Sequence, residues 1–156
     1  MTKNRSTAIS LPKIKVMIKF KKFTVKEKST FQYWFYHWLA FNYTAWKLGV
    51  WKPKWLLHDI EKPWLKLIWG DYMRVRQWHK HHNNHHVFYG RRNGMNKIDW
   101  LGAVIDWECS HLTKCVAVRN GREEVDYLIS DKSKYTKDEK EEIRKNCYPI
   151  LDYLGL

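Results

Sequence analysis

Cysteine is scarce in this chain of 156 residues: Cys109, Cys115 and Cys147 are its only three. An odd number at those spacings builds neither a disulfide framework nor a CxxC zinc site, so they read as reduced thiols of a cytoplasmic protein. Glycine and proline are also few, seven and four, which argues against a low-complexity chain. Acids are outnumbered, with 16 Asp and Glu against 29 Lys and Arg and a net charge of +13. That balance favours anionic partners such as nucleotides, nucleic acid or anionic surfaces. No apolar run is long enough to span a bilayer, because His37, Lys52, Lys54, His58, Asp59, Glu61 and Lys62 break the aromatic stretch from Phe31 to Trp69. Lys13, Lys15 and Lys19 likewise interrupt any apolar region of a secretory leader.

What is present is apolar and aromatic. Hydrophobic residues make up 44% and aromatics 16%, with ten Trp, enough for one buried core and incompatible with disorder. The pattern predicts a mainly α fold in two parts, a basic arm over 1–30 and one helical domain over 31–156. In the arm nine basic residues face one acid, Glu27, and the alternation from Lys13 to Lys21 suits a short amphipathic strand or a segment that orders on a partner such as nucleic acid. Phe31 to Leu48 reads as a helix closed by Gly49. A second helix is expected from Pro53 through Trp55 to Lys62, ended or bent at Pro63. A third should run from about Pro63 or Asp71 to His82, with Asn83-Asn84 weakening it. Tyr89 to Asn96 reads as a basic loop, Lys97 to Lys114 as a buried helix, and Thr136 with Glu139 as the capping box of a last helix to Leu154. Asn120-Gly121 between Cys115–Val118 and Val125–Ile129 predicts one small β-hairpin.

The chemistry concentrates at a few positions. His37 lies among residues that should be buried, where an imidazole needs a partner. Asp106 sits in the most apolar part of its helix, where a carboxylate is costly unless paired or bound to metal. His58-Asp59 offers a nitrogen and a carboxylate, donors that suit Mn, Fe, Co, Ni or Zn. Lys62, four residues after His58, would share its helix face and meet a phosphate oxygen in the same cleft. Five of the eight residues from His79 to His86 are histidine, namely His79, His81, His82, His85 and His86, with Asn83-Asn84 between them. Histidines four apart there could hold one metal if the helix continued. Asp99 and His111 are weaker candidates for supporting places.

The order His37, then His58-Asp59, then Asp106 resembles the ligand order of the HD superfamily of metal-dependent phosphohydrolases. The chain is also similar over about 31–112 to an uncharacterised group of small HD-like proteins of bacteria and phages. The matching motifs are Lys47-Leu48-Gly49, His58-Asp59-Ile60-Glu61-Lys62, the Trp78-led cluster to His86, and Asp106-Trp107. Glu61 and Pro63 stand where that group has small polar and aromatic residues. The resemblance implies one or two divalent transition metals on His37, His58, Asp59 and Asp106, and it moves His81, His85 and His86 ahead of His79 and His82 as further ligands. It implies hydrolysis of a nucleotide or other phosphate ester, with metal-activated water attacking phosphorus. Asp59 and Lys62 would assist at the centre, a cluster histidine such as His82 would protonate the leaving oxygen, and Arg91 and Arg92 would hold the substrate. Two other readings stay open: a non-catalytic phage factor gripping nucleic acid or a host protein on an HD scaffold, and a di-iron oxygenase.

Overall fold

The computed structural model describes residues 18–87, 94–115 and 119–156. Six helices carry the described chain: α1 (Phe31–Lys47), α2 (Glu61–Trp69), α3 (Tyr72–His82), α4 (Lys97–Thr113), α5 (Gly121–Ile129) and α6 (Lys137–Leu154). The mainly α expectation therefore stands. Among the described residues no strand forms. One isolated parallel bridge joins Phe23 to Lys114, with Phe23 N–H donating to Thr113 O at 2.9 Å and Cys115 N–H to Phe23 O at 3.1 Å. No described helix is long and apolar enough to cross a membrane.

Helix α4 is central because both its sides are apolar. Ile105 and Cys109 pack against Ala40, Phe41 and Ala45 of α1, together with Trp55. Trp100, Ala103 and Val104 pack against Val125 and Leu128 of α5 and Ile143, Cys147 and Leu151 of α6. The last three recur four apart, which puts them on one helix face. Ala103, Val104 and Ile105 are fully buried, so all sides of this stretch meet protein and its one carboxylate, Asp106, sits within a packed helix. The end of the basic leader is folded onto the domain: Phe23 is fully buried and packs with Tyr33 and Trp34. The proposed strand from Lys13 to Lys21 lies mostly outside the described residues, as do residues 89–93 of the basic loop.

Three sequence expectations are corrected. The hairpin is one: Val125–Ile129 belongs to α5, and Asn120 caps that helix by accepting from Glu123 N–H while the Glu123 side chain returns to the Asn120 N–H. Asn-x-x-Glu served as a capping box, and that outweighed the turn preference of Asn-Gly. The helix from Pro53 to Lys62 is the second. Pro53–Leu57 is a short 3-10 helix, the chain leaves it at His58 with ψ 123°, and Asp59 takes a left-handed φ of 59°. Lys62 therefore does not sit one helical turn beyond His58. Pro63 as the end or bend of that helix is the third: it falls in the first turn of α2, where no backbone donor is needed, so it opens a helix, the other place the sequence allowed it, while Asp71 caps the next.

Candidate metal centre

Each inward-pointing side chain has a local cause. Tyr33, His37, Phe41 and Ala45 are spaced by four along α1, and all are buried, so the apolar stripe that seats α1 carries His37 inward with it. The Tyr33 ring lies nearly parallel to His37, 5.7 Å away at 13°. Phe41 stacks on His58 at 3.7 Å and 8°, which fixes the plane of that imidazole. Asp59 is the only non-glycine with positive φ among the described residues. Aspartate tolerates this conformation better than most residues, yet it costs on the order of 1–3 kcal/mol and recurs at functional sites. The kink turns the Asp59 carboxylate inward, leaving its side chain 3% exposed.

Asp59 is the hub. Its Oδ2 lies 3.4 Å from His37 Nε2, 3.5 Å from His58 Nε2 and 2.5 Å from Lys62 Nζ. Its Oδ1 lies 3.1 Å from His79 Nε2 and 3.6 Å from His85 Nε2. Asp106 Oδ1 joins the first group, 3.0 Å from His37 Nε2 and 3.8 Å from His58 Nε2. His86 joins the second through ring contacts with His85 at 4.3 Å and His79 at 4.6 Å. One aspartate thus bridges two half-sites, His37, His58 and Asp106 on one side and His79, His85 and His86 on the other.

His79 shows what the arrangement lacks. Its Nδ1 meets a carboxylate oxygen of Glu61, which can only accept, so Nδ1 carries the proton and Nε2 is a lone pair. Asn83 Nδ2 donates to the same Glu61 oxygen at 2.6 Å. The bare Nε2 of His79 then faces the bare Oδ1 of Asp59, acceptor against acceptor. The pattern extends further: His58 Nε2, His85 Nε2, His86 Nε2, Asp59 Oδ1 and Asp106 Oδ1 are also buried without a hydrogen-bond partner. Clustered buried acceptors are costly unless a cation sits among them. Burial pushes His79 and His86 down to about 2 and lowers His58 and His85, so these imidazoles present lone pairs at neutral pH. Burial also opposes ionisation of Asp59 and Asp106, but the neighbouring His58 and the Lys62 ammonium beside the former, and His37 beside the latter, hold both well below the usual carboxylate range. Burial works against the Lys62 ammonium too, and the Asp59 charge outweighs it, raising its pKa.

These donors fit a transition metal. Two ligands at about 2.1 Å from one ion, at a tetrahedral angle, stand about 3.4 Å apart. The Nε2-to-oxygen separations of 3.0, 3.1, 3.4, 3.5, 3.6 and 3.8 Å scatter around that value. Sets of ligand atoms within 4.8 Å of one another include His37, His58 and Asp59, as well as His79, His85 and His86. Glu61 supplies the carboxylate behind a metal-facing histidine that commonly fixes such a ligand.

Several openings border the cluster. A cavity of about 290 Å³ is lined by His58, His82, Asn83, His85, Lys54 and Asp99 among others. Another, of about 350 Å³, is lined by His37, Lys62, His79, His86 and Asp106, with Lys28, Arg76, Lys80 and Lys114 farther along its wall. A third, apolar and of about 430 Å³, is lined by His58 and Asp59 with Trp34, Trp38 and Ile60.

The structure brings together His37, His58, Asp59, Lys62, His85, His86 and Asp106, as the sequence led one to expect. It does not bring His81, which is exposed at the end of α3. His79, ranked behind His81 from the sequence, is 2% exposed and central. His82 lies at a cavity wall: its Nδ1 donates to Trp78 O at 2.8 Å and its ring stacks on Trp78 at 4.2 Å. Arg91 and Arg92 lie outside the described residues. Asp99 caps α4 with Asn96, and His111, with a side chain 44% exposed, faces Glu108 at 4.0 Å. The sequence reading missed Glu61 and Asn83 as supports. The signal was there, since Val75, His79 and Asn83 recur four apart on the buried face of α3. Compared with known proteins, the chain matches no family model, no curated protein and no solved structure.

Proposed function

We propose that this chain is a metal-dependent phosphohydrolase acting on a nucleotide or other phosphate ester. One or two divalent transition ions (Mn, Fe, Co, Ni or Zn) would be held by His37, His58, Asp59 and Asp106, and by His79, His85 and His86 across the shared Asp59. The observation that carries the reading is the convergence of unpartnered buried nitrogens and carboxylate oxygens on one point, beside a lysine and a cation-lined opening. A metal so held supplies Lewis acidity and lowers the pKa of a water from 15.7 toward about 7.

The chain's own groups do the rest. The Asp59 carboxylate fixes the Lys62 ammonium at 2.5 Å, and Lys62, lining the second opening, offsets the charge that a phosphate brings and that grows in the transition state. His82 lines the first opening, and the Trp78 carbonyl holds its proton on Nδ1, which leaves Nε2 as the nitrogen that can take and return a proton on that side of the cluster. Glu61 and Asn83 orient His79. The ligand order along the chain resembles that of the HD superfamily, which supports the reading. The ligand-type set is complete at His37, His58, Asp59 and Asp106, which favours an enzyme over a non-catalytic scaffold.

The test is turnover. Untagged protein reconstituted with each metal is assayed against phosphate monoesters and diesters. Metal-dependent phosphate release that His58→Ala and Asp106→Ala abolish is expected. Oxygen consumption by an iron form without phosphate release would replace hydrolysis with oxygenase chemistry. No turnover with any metal would overturn the proposal.

A further inference from the structure

The second opening is more basic than one phosphate requires. Its wall takes four cations from three places: Lys28 from the 3-10 turn Lys26–Ser29, Arg76 and Lys80 from α3, and Lys114 from the C-cap of α4. Lys62 lies at the inner end beside Asp59. Among the described residues the only carboxylate lining this cavity is Asp106, already flanked by His37 and His58. Among the described residues no ion pair engages Lys28, Arg76, Lys80 or Lys114 with a carboxylate. Glu27, next to Lys28, is turned away to Thr24, whose N–H and hydroxyl both donate to it. These cations crowd one another. The Lys28 ammonium is held below its usual pKa by burial and then by the charges of Lys114 and Arg76.

Like charges gathered around one concavity repel, and the cost grows as water is excluded. A monophosphate dianion at the metal cluster would meet Lys62 and leave the outer four unmatched. A chain of phosphates would not, because each further group carries charge outward along the wall, and Arg76 offers the planar fork that phosphate oxygens take in pairs. The aromatic residues here do not offer a base platform. Trp34 is 4% exposed and already stacks on Tyr72 at 6.4 Å.

We infer that this vestibule selects linked phosphates: the ligand carries at least two, with the terminal one at Lys62 and the ligand cluster and the next at Lys28, Arg76, Lys80 and Lys114. The inference rests on the phosphohydrolase reading for its inner end only.

Orthophosphate, tripolyphosphate and adenosine triphosphate are titrated calorimetrically into metal-free and Mn-loaded full-length protein, with metal content measured separately. Tripolyphosphate should bind at least about tenfold more tightly than orthophosphate. Arg76→Ala and Lys114→Ala should each cost about tenfold for tripolyphosphate and under about threefold for orthophosphate. Lys137→Ala and Lys140→Ala, on α6 and outside the vestibule's lining, should cost neither. Equal affinity of the triphosphate with and without its nucleoside supports recognition of the chain itself, and tighter binding of the nucleoside form supports a nucleoside source for the same chain. Equal affinity for one and three phosphates overturns the inference, as does an equal loss from the α6 variants. A single-stranded oligonucleotide that binds more tightly through Arg76 and Lys114 also overturns it. Arg76-dependent tripolyphosphate binding by a protein that takes up no metal would sink the metal reading and leave the vestibule standing.

Discussion

Glu61 offers a sharp test because nothing in its sequence context gave it a role. Its carboxylate holds the His79 proton on Nδ1, so that Nε2 points at Asp59 Oδ1, 3.1 Å away. Glu61→Gln keeps the shape and an accepting oxygen but removes the charge, while Glu61→Ala removes both. Loss of such a support costs about 10–100-fold in metal affinity, or about 1.4–2.8 kcal/mol. Gln should fall near tenfold and Ala nearer a hundredfold. The effect should be confined to the His79, His85 and His86 half-site, because Glu61 bonds His79 and Asn83 and forms no ion pair or hydrogen bond with His37, His58 or Asp106. A Co²⁺ titration against a chromophoric chelator reads this directly, with the visible absorption of bound Co²⁺ reporting the ligand set. Melting both variants in chelator controls for folding. Wild-type affinity in both variants would refute the reasoning, as would a loss shared equally by all bound metal.

Metal should stabilise the fold: at a free concentration one hundred times Kd the gain is about 2.7 kcal/mol, a Tm rise of roughly 5–10 °C, and a thermal scan in which Mn, Co and Zn leave Tm unmoved would contradict the site. Native protein treated with a maleimide at pH 8 should label at exposed Cys115 and resist at buried Cys109 and Cys147, since burial pushes the Cys147 thiol up to about 12; rapid labelling of all three, read by mass spectrometry, would show a looser core. Asn120→Ala should cost about 1 kcal/mol by loss of the α5 cap, whereas Asn120→Asp should be nearly neutral, and urea melts compare the two.

Much of the scaffold was legible because its signals are local. Thr136 and Glu139 form the capping box of α6, and the apolar density of Ala103 to Ile105 announced α4 and the unusual place of Asp106. His37 was legible for the same reason. The centre was harder, since it is built at a break in regular structure. A helical reading of Pro53 to Lys62 placed Lys62 beside His58, yet the αL turn at Asp59 is a tertiary choice, made worthwhile by five side chains gathered around one carboxylate. The histidine cluster was plain as composition but not as geometry. His79 and His81 differ by two residues, which rotates them about 200° apart on a helix; Val75 marks the inner face, and only His79 shares it. Asn120-Gly121 misled because the same asparagine serves a turn or a cap, and Glu123 decides.

The most direct test is to locate the metal. Crystals of untagged protein, grown without exposure to a nickel column and soaked in Mn²⁺ or Co²⁺, should show anomalous density between Asp59 and the His37, His58 and Asp106 side chains, and a second peak between Asp59 and His79, His85 and His86 if both half-sites fill. Asp59→Ala should erase both. Full metal loading with no density touching Asp59, or no binding of either ion, would contradict the account at its centre.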